Sequence, residues 1–180
     1  MSNMIYKRAE TTEELQQILQ LQRINIPEAL SEEEKAKEGF VTVHHHFDIL
    51  KAMNDKCQHI IALDNNTVIG YALCMVKDFK EDIEVLRSMF AQIESRLDVK
   101  TSYVIMGQIC IAKTYRKKGI FRGLYHFMKQ ELAPTFDCIV TEVDESNTRS
   151  MNAHLAIGFK TLKNYYSQPH HWALLSWRIK

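Results

Sequence analysis

The sequence predicts an α/β (α+β) fold built on one mixed sheet, and three observations predict it. Strand-like and helix-like periodicities interleave from end to end. The run from Tyr103 to Ile111 is mostly apolar on both sides, as in a central strand covered on both faces. No repeat, low-complexity stretch or linker interrupts the pattern, so the 180 residues form one domain (1–180) with a sizeable core.

Met4 to Arg8 reads as a first strand. Thr11 with Glu14 is a capping box for a helix whose apolar face is Leu15, Ile18 and Leu19, and Pro27 closes it. Ser31 with Glu34 repeats the signal for a short acidic helix ended by Gly39. His44, His45 and His46 follow. Adjacent histidines cannot all point one way, so they make a poor metal site; they are loop residues, or one of them lines an acceptor pocket. Phe47 to Met53 is helical. His59 to Leu63, the turn Asp64–Asn66, and Thr67 to Val76 form a hairpin of core strands.

From Asp78 to Val99, Ile83, Leu86, Phe90, Ile93 and Leu97 recur at helical spacing. This helical insertion (about 78–99) can pack on the sheet, cover a ligand cleft, or meet a second copy of the chain in a homodimer. The pattern does not choose. Along the central strand, alternation puts Val104, Met106, Gln108, Cys110 and Ala112 on one side and Tyr103, Ile105, Gly107, Ile109 and Ile111 on the other. A helix follows, with Leu124, Phe127, Met128 and Leu132 on its apolar face, and Pro134 stops it. Asp137 to Val143 is a strand. Ser146–Thr148 can cap a helix from Arg149 to Ile157, with Gly158 at its C-terminal position. Phe159–Tyr166 and His171–Ile179 are the last strands.

The composition is that of an ordinary soluble globule, with 46% apolar and 25% charged residues. The net charge of +1 lacks the basic excess of a nucleic-acid binder. No apolar run approaches a membrane span, and MSNMIYKRAE is not a signal peptide, so a cytoplasmic protein is expected. The four cysteines are far apart in sequence and read as buried reduced thiols; no metal site is expected.

The turn Thr114–Gly119 between the central strand and its helix carries Arg116, Lys117 and Lys118, with Arg122 one turn on. A helix beginning there aims unpaired N–H groups and the positive end of its dipole at the turn. The physics asks for an anion, a phosphate or pyrophosphate. The phosphate-loop motif is absent, because Gly119 is followed by Ile120 and Phe121, and the Rossmann glycine pattern is missing too.

Two segments together resemble a known family. Ile109–Ile120, with Arg116-Lys-Lys-Gly119-Ile-Phe121, resembles the acetyl-CoA-binding motif of the GNAT superfamily of N-acetyltransferases, Gln/Arg-x-x-Gly-x-Gly/Ala after a strand. Asn147 to Phe159 resembles the family's later helix, Asn-x-x-Ala-x-x-x-Tyr-x-x-x-Gly-Phe. Phe121 stands where Gly or Ala is usual, His154 where the tyrosine is usual, and Ser150 where alanine is usual.

The resemblance implies a GNAT fold: a mixed, mostly antiparallel sheet of about six to seven strands flanked by helices. It implies direct transfer of an acetyl group from acetyl-CoA to a primary amine, on a small molecule or a peptide, in a ternary complex. The backbone of Ile109, Cys110 and Ile111 would hold the pantetheine arm and polarise the acetyl oxygen. Arg116, Lys117, Lys118, Gly119, Ile120, Phe121 and Arg122 would hold the pyrophosphate, with Asn147 and Ser150 also at the cofactor. Glu142, on the strand before the second motif, is the candidate base; an ion pair at the sheet edge is its competing structural role. His154 holds the position of the family's proton donor to the departing thiolate and is the candidate acid. Asn147 can bind pantetheine or cap its helix. The alternative is a catalytically weak CoA-binding regulatory module of the same fold.

Overall fold

A computed structural model describes residues 4–25, 44–81 and 86–180. The expected stop at Pro27, the acidic helix of Ser31, Glu34 and Gly39, and Ile83 lie outside them. Seven strands form one sheet: β1 (Met4–Arg8), β2 (Ile60–Asp64), β3 (Thr67–Met75), β4 (Tyr103–Ile111), β5 (Cys138–Asp144), β6 (Lys160–Ser167) and β7 (His170–Arg178). Their order is β1-β2-β3-β4-β5-β7-β6. Every neighbouring pair is antiparallel except β4–β5. The mixed, mostly antiparallel sheet is therefore as expected.

Helices cover both faces, which is why the central strands read as near-continuous apolar runs. On one face lie α1 (Thr12–Arg23), α2 (Phe47–Lys56) and α3 (Arg87–Glu94), whose Leu15, Ile18, Leu50, Met53, Phe90 and Ile93 share a core with Tyr71, Leu73, Ile105 and Val140. On the other face α4 (Ile120–Leu132) buries Leu124, Tyr125, Met128 and Leu132 against Ala72, Val104, Met106 and Ile139. Met151 and Ile157 of α5 (Thr148–Ile157) pack against that second core. The capping box of Thr11 and Glu14 is present as the sequence predicts.

The helix expected over 78–99 is shorter. A 3-10 turn spans Lys77–Lys80, and α3 runs only from Arg87 to Glu94. Asp98 ends the pattern, accepting the Thr101 N–H at its carbonyl and the Lys100 N–H at its carboxylate.

One irregularity sets the geometry of everything downstream. On β3 and β4, Leu73 faces Gln108 but Cys74 faces Met106. Strand β4 therefore spends an extra residue, Gly107, where β3 spends none, which is a β-bulge. The bulge reverses the side-chain parity read from the sequence. Val104 and Met106 share the α4 core with Ile109 and Ile111, whereas Ile105 shares the α1 core with Cys110, and Gln108 bonds Gln22 of α1. Simple alternation assigned Gln108 and Cys110 to the face of Met106; the bulge corrects that. The β4–β5 ladder stops at the same place. It holds only from Tyr103↔Cys138 to Ile105↔Val140, and Thr141 Oγ1 then donates to the Met106 carbonyl at 2.9 Å. Past that bridge the two strands diverge toward their C-terminal ends.

Strand β1 and α4 meet at Gly123, where an added Cβ would land inside the Tyr6 phenol. Gly123→Ala is expected to destabilise the protein by about 1–3 kcal/mol through overpacking. Tyr6→Ala in the same chain should relieve most of that loss, as a double-mutant cycle in urea denaturation would show.

Candidate active site

The divergence of β4 and β5 opens a wedge with two connected compartments. The larger is a cavity of about 220 Å³ between β4, the 113–119 turn and the first turn of α5. It is lined by ten of the twelve residues expected at the cofactor: Ile109, Cys110, Ile111, Arg116, Lys117, Gly119, Ile120, Phe121, Asn147 and Ser150. Lys118 and Arg122 are exposed and outside that lining. Lys118 lies over the Tyr115 ring, 5.0 Å from its centroid.

The turn is shaped for backbone N–H groups. Gly119 has φ +80° and Lys117, not a glycine, has φ +62°. Gly119 is the N-cap of α4, and the first helical bond runs from Gly123 N–H to the Gly119 carbonyl at 3.0 Å. The N–H groups of Ile120, Phe121 and Arg122 thus have no carbonyl one turn back and sit at the positive end of a 13-residue helix. Added Cβ atoms would meet nothing at Gly119, so its glycine serves φ rather than space. Arg116 braces the turn from behind: its Nε donates to the Ile111 carbonyl at 3.1 Å and its guanidinium to Asn25 Oδ1 at 2.6 Å. Asn25, at the end of α1, also lines the cavity and was not anticipated.

The strand edge is selective about which backbone groups it offers. Ala112 N–H bonds the Ile69 carbonyl of β3 at 2.8 Å. Alternation then turns Cys110 toward β3 and leaves the N–H groups of Ile109 and Ile111 on the open edge. Of the expected trio, Cys110 contributes a wall and no edge N–H. Its buried thiol is pushed up to about 12 and is inert.

The smaller compartment lies between Met106–Ile109 and Thr141–Asp144, closed by Asn147, Ser150, His154 and Trp172. Glu142 borders it. Burial pushes the Glu142 carboxyl up to about 7, against the opposing effect of a short hydrogen bond from Tyr165 O–H to its Oε2. No ion pair holds it among the described residues, so the expected sheet-edge pair gives way to a phenol. Asp144 is buried at the end of β5, where its carboxylate caps Ser146 and meets His170 Nδ1 at 2.6 Å.

Asn147 Oδ1 accepts the Ser150 N–H at 3.1 Å, so the cap is made, and the same residue lines both compartments. His154 is 1% exposed. Its Nδ1 lies 2.7 Å from the Ser150 carbonyl, which can only accept, so the ring proton sits on Nδ1. Burial lowers its pKa to about 4. The ring is therefore neutral near pH 7 and Nε2 has no proton to donate. Phe121, Tyr125 and Phe159 box it in with edge-on contacts, centroids 5.2, 5.5 and 5.3 Å away. The candidate acid is thus placed as a fixed wall.

His45 Nδ1 accepts from Gln22 Nε2 at 2.9 Å, and Gln22 joins Gln108 and Tyr71 in a buried network. Among the described residues no group of three or more His, Cys, Asp or Glu could hold a metal ion, and no helix is long and apolar enough to cross a membrane.

The sequence model of the acetyltransferase (GNAT) family matches residues 15–159. The protein belongs to this family. The chain is thus a GNAT-type N-acetyltransferase, and acetyl transfer is its general chemistry. No curated protein matches it in sequence. Solved structures of this fold align over nearly the whole chain. NAA60 of Arabidopsis thaliana, in complex with acetyl-CoA, has a TM-score of 0.70 at 14% identity, covering 98% of this chain and 99% of that one. A chain of the NatC complex bound to Gag peptide and CoA gives 0.68 at 16%, covering 97% and 98%. The ribosomal-protein-S18-alanine N-acetyltransferase of Escherichia coli gives 0.66 at 12%, covering 98% and 94%.

If the GNAT turn binds phosphates through N–H groups that only this backbone aligns, Gly119→Val should weaken acetyl-CoA binding about 5- to 150-fold, the equivalent of about 1–3 kcal/mol of backbone strain. Arg149→Ala should cost less than a third of that factor in the same calorimetric titration.

Proposed function

We propose that the protein transfers the acetyl group of acetyl-CoA to a primary amine by direct attack in a ternary complex, with Glu142 as general base. The observation that carries this is the position of Glu142. A carboxyl group raised to about 7 stands at the wedge whose other wall is the open N–H edge of Ile109. The cavity and α4 N-terminus suit the pyrophosphate and pantetheine arm of CoA, and the NAA60 and NatC structures hold acetyl-CoA and CoA in this fold.

In this reading the Ile109 N–H faces the thioester oxygen and stabilises its developing negative charge. An amine arrives as an ammonium ion, and the Glu142 carboxylate takes one proton. The neutral nitrogen attacks the acetyl carbon. As the C–S bond breaks, the second nitrogen proton passes to the sulfur, giving an amide and CoA thiol. His154 stays neutral and holds the cavity wall. Positioning supplies most of the rate and proton removal the rest. The acceptor is a small-molecule or peptide amine; the Gag peptide of NatC and the S18 alanine named for the Escherichia coli enzyme are polypeptide precedents within the fold.

Glu142→Gln is expected to lower kcat about 10²- to 10⁴-fold while leaving acetyl-CoA affinity within twofold. Release of CoA thiol, followed with a panel of amines, peptides and polyamines, is the measurement. In the wild type kcat/KM should fall as pH drops through about 7, because protonated Glu142 cannot act as a base. Tight acetyl-CoA binding with no turnover over the whole panel would instead mark a CoA-binding regulatory module.

A further inference from the structure

The function reading leaves two features unused: the Tyr165 phenol and helix α3. Both belong to the same core on one face of the sheet. Tyr165 lies on β6, two strands from Glu142, and its half-buried side chain reaches over β7 to put its O–H on Glu142 Oε2. Its ring packs against the core cluster that contains Met89, Phe90 and Ile93 of α3. Two residues along β6, Lys163 Nζ donates to Gln92 Oε1 of α3 at 2.5 Å. The helix itself is fixed by Met89, Phe90 and Ile93, all buried in the core on that face of the sheet. The core on this face therefore holds both α3 and Tyr165, α3 ties to β6 through Gln92 and Lys163, and Tyr165 reaches from that core to the carboxyl group at the wedge.

We infer that Tyr165 is a positioning residue for Glu142, anchored by α3, which holds Oε2 and leaves Oε1 as the oxygen offered to the acceptor amine. The inference rests on Glu142 being the base. Tyr165 also bears on when that carboxyl group is ionised. Its O–H donates to the carboxylate and favours the charged form, opposing burial. The other groups around Glu142 are few. From α5 comes His154, neutral and committed to Ser150; from β5 itself Asp144, tied to Ser146 and His170; from β4 and β7 the uncharged Gln108 and Trp172. No Lys or Arg among the described residues lines this compartment. Among the described residues the phenol is thus the one donor seen on this carboxylate.

The test titrates the carboxyl group directly, without any acceptor. Protein labelled with ¹³C at the glutamate carboxyl is followed by NMR, and Glu142→Gln identifies the Glu142 signal by its loss. The wild-type midpoint should lie near 7. In Tyr165→Phe it should rise by about one pH unit or more. In Tyr166→Phe, whose ring points to His171 with centroids 4.9 Å apart, it should stay put. A second measurement needs no tyrosine variant: the Tyr165 ring ¹³Cζ signal should move in step with Glu142 and lose that step in Glu142→Gln. A midpoint unchanged in folded Tyr165→Phe, or a Tyr165 signal blind to Glu142, overturns the inference. Activity separates it from the function reading. If Glu142→Gln keeps full turnover while both titrations behave as expected, the base assignment fails and the positioning contact stands.

Discussion

One surplus residue in β4 governs this structure. With Gly107 inserted opposite no residue of β3, the strand bends and twists out of register, and its partnership with β5 ends after three residue pairs. Everything chemical follows from that separation. Among the described residues the N–H groups of Ile109 and Ile111 on that edge have no backbone partner on the β5 side, the end of β5 delivers Glu142 to the opposite wall, and the N-termini of α4 and α5 border the gap between them. An unsatisfied strand edge inside a folded protein is costly. Here it borders a cavity into which a ligand can bring its own acceptors.

Two of the three positions that depart from the family pattern turn out to be one feature. Phe121 and His154 touch edge to face, with Tyr125 and Phe159 completing a box of rings. The Phe121 ring at the turn and the His154 ring on the facing helix fill this space together. The cost is chemical. A histidine sealed among aromatic rings is neutral, and its one proton is already given to the Ser150 carbonyl. What the family's tyrosine can donate from this position, this imidazole cannot at neutral pH. The titratable group that the wedge wall opposite offers near neutral pH is Glu142.

Much of this was legible in the amino-acid order. The capping box at Thr11, the core strands of the β2–β3 hairpin, and the strand, cationic turn and amphipathic helix around Gly119 each follow from local rules. The parity of β4 was not legible, because a bulge is a property of two strands and leaves no mark in one beyond a glycine. Nor was the strand order. Insertion of β7 between β5 and β6 is what brings Tyr165 within reach of a glutamate 23 residues earlier, and nothing local to either residue signals it. The apparent length of the helix over 78–99 misled for a simpler reason. Apolar residues at helical spacing persist through a 3-10 turn and past Ser95, so periodicity alone overran α3 at both ends.

The central claim is that the wedge opened by Gly107 is where the thioester sits. A crystal structure with acetyl-CoA tests it most directly. The account predicts the thioester oxygen within hydrogen-bonding distance of the Ile109 N–H, the pyrophosphate against the first turn of α4, and the acetyl carbon facing Glu142. A pantetheine arm lying outside the β4–β5 gap, or a thioester turned away from Ile109, would contradict it.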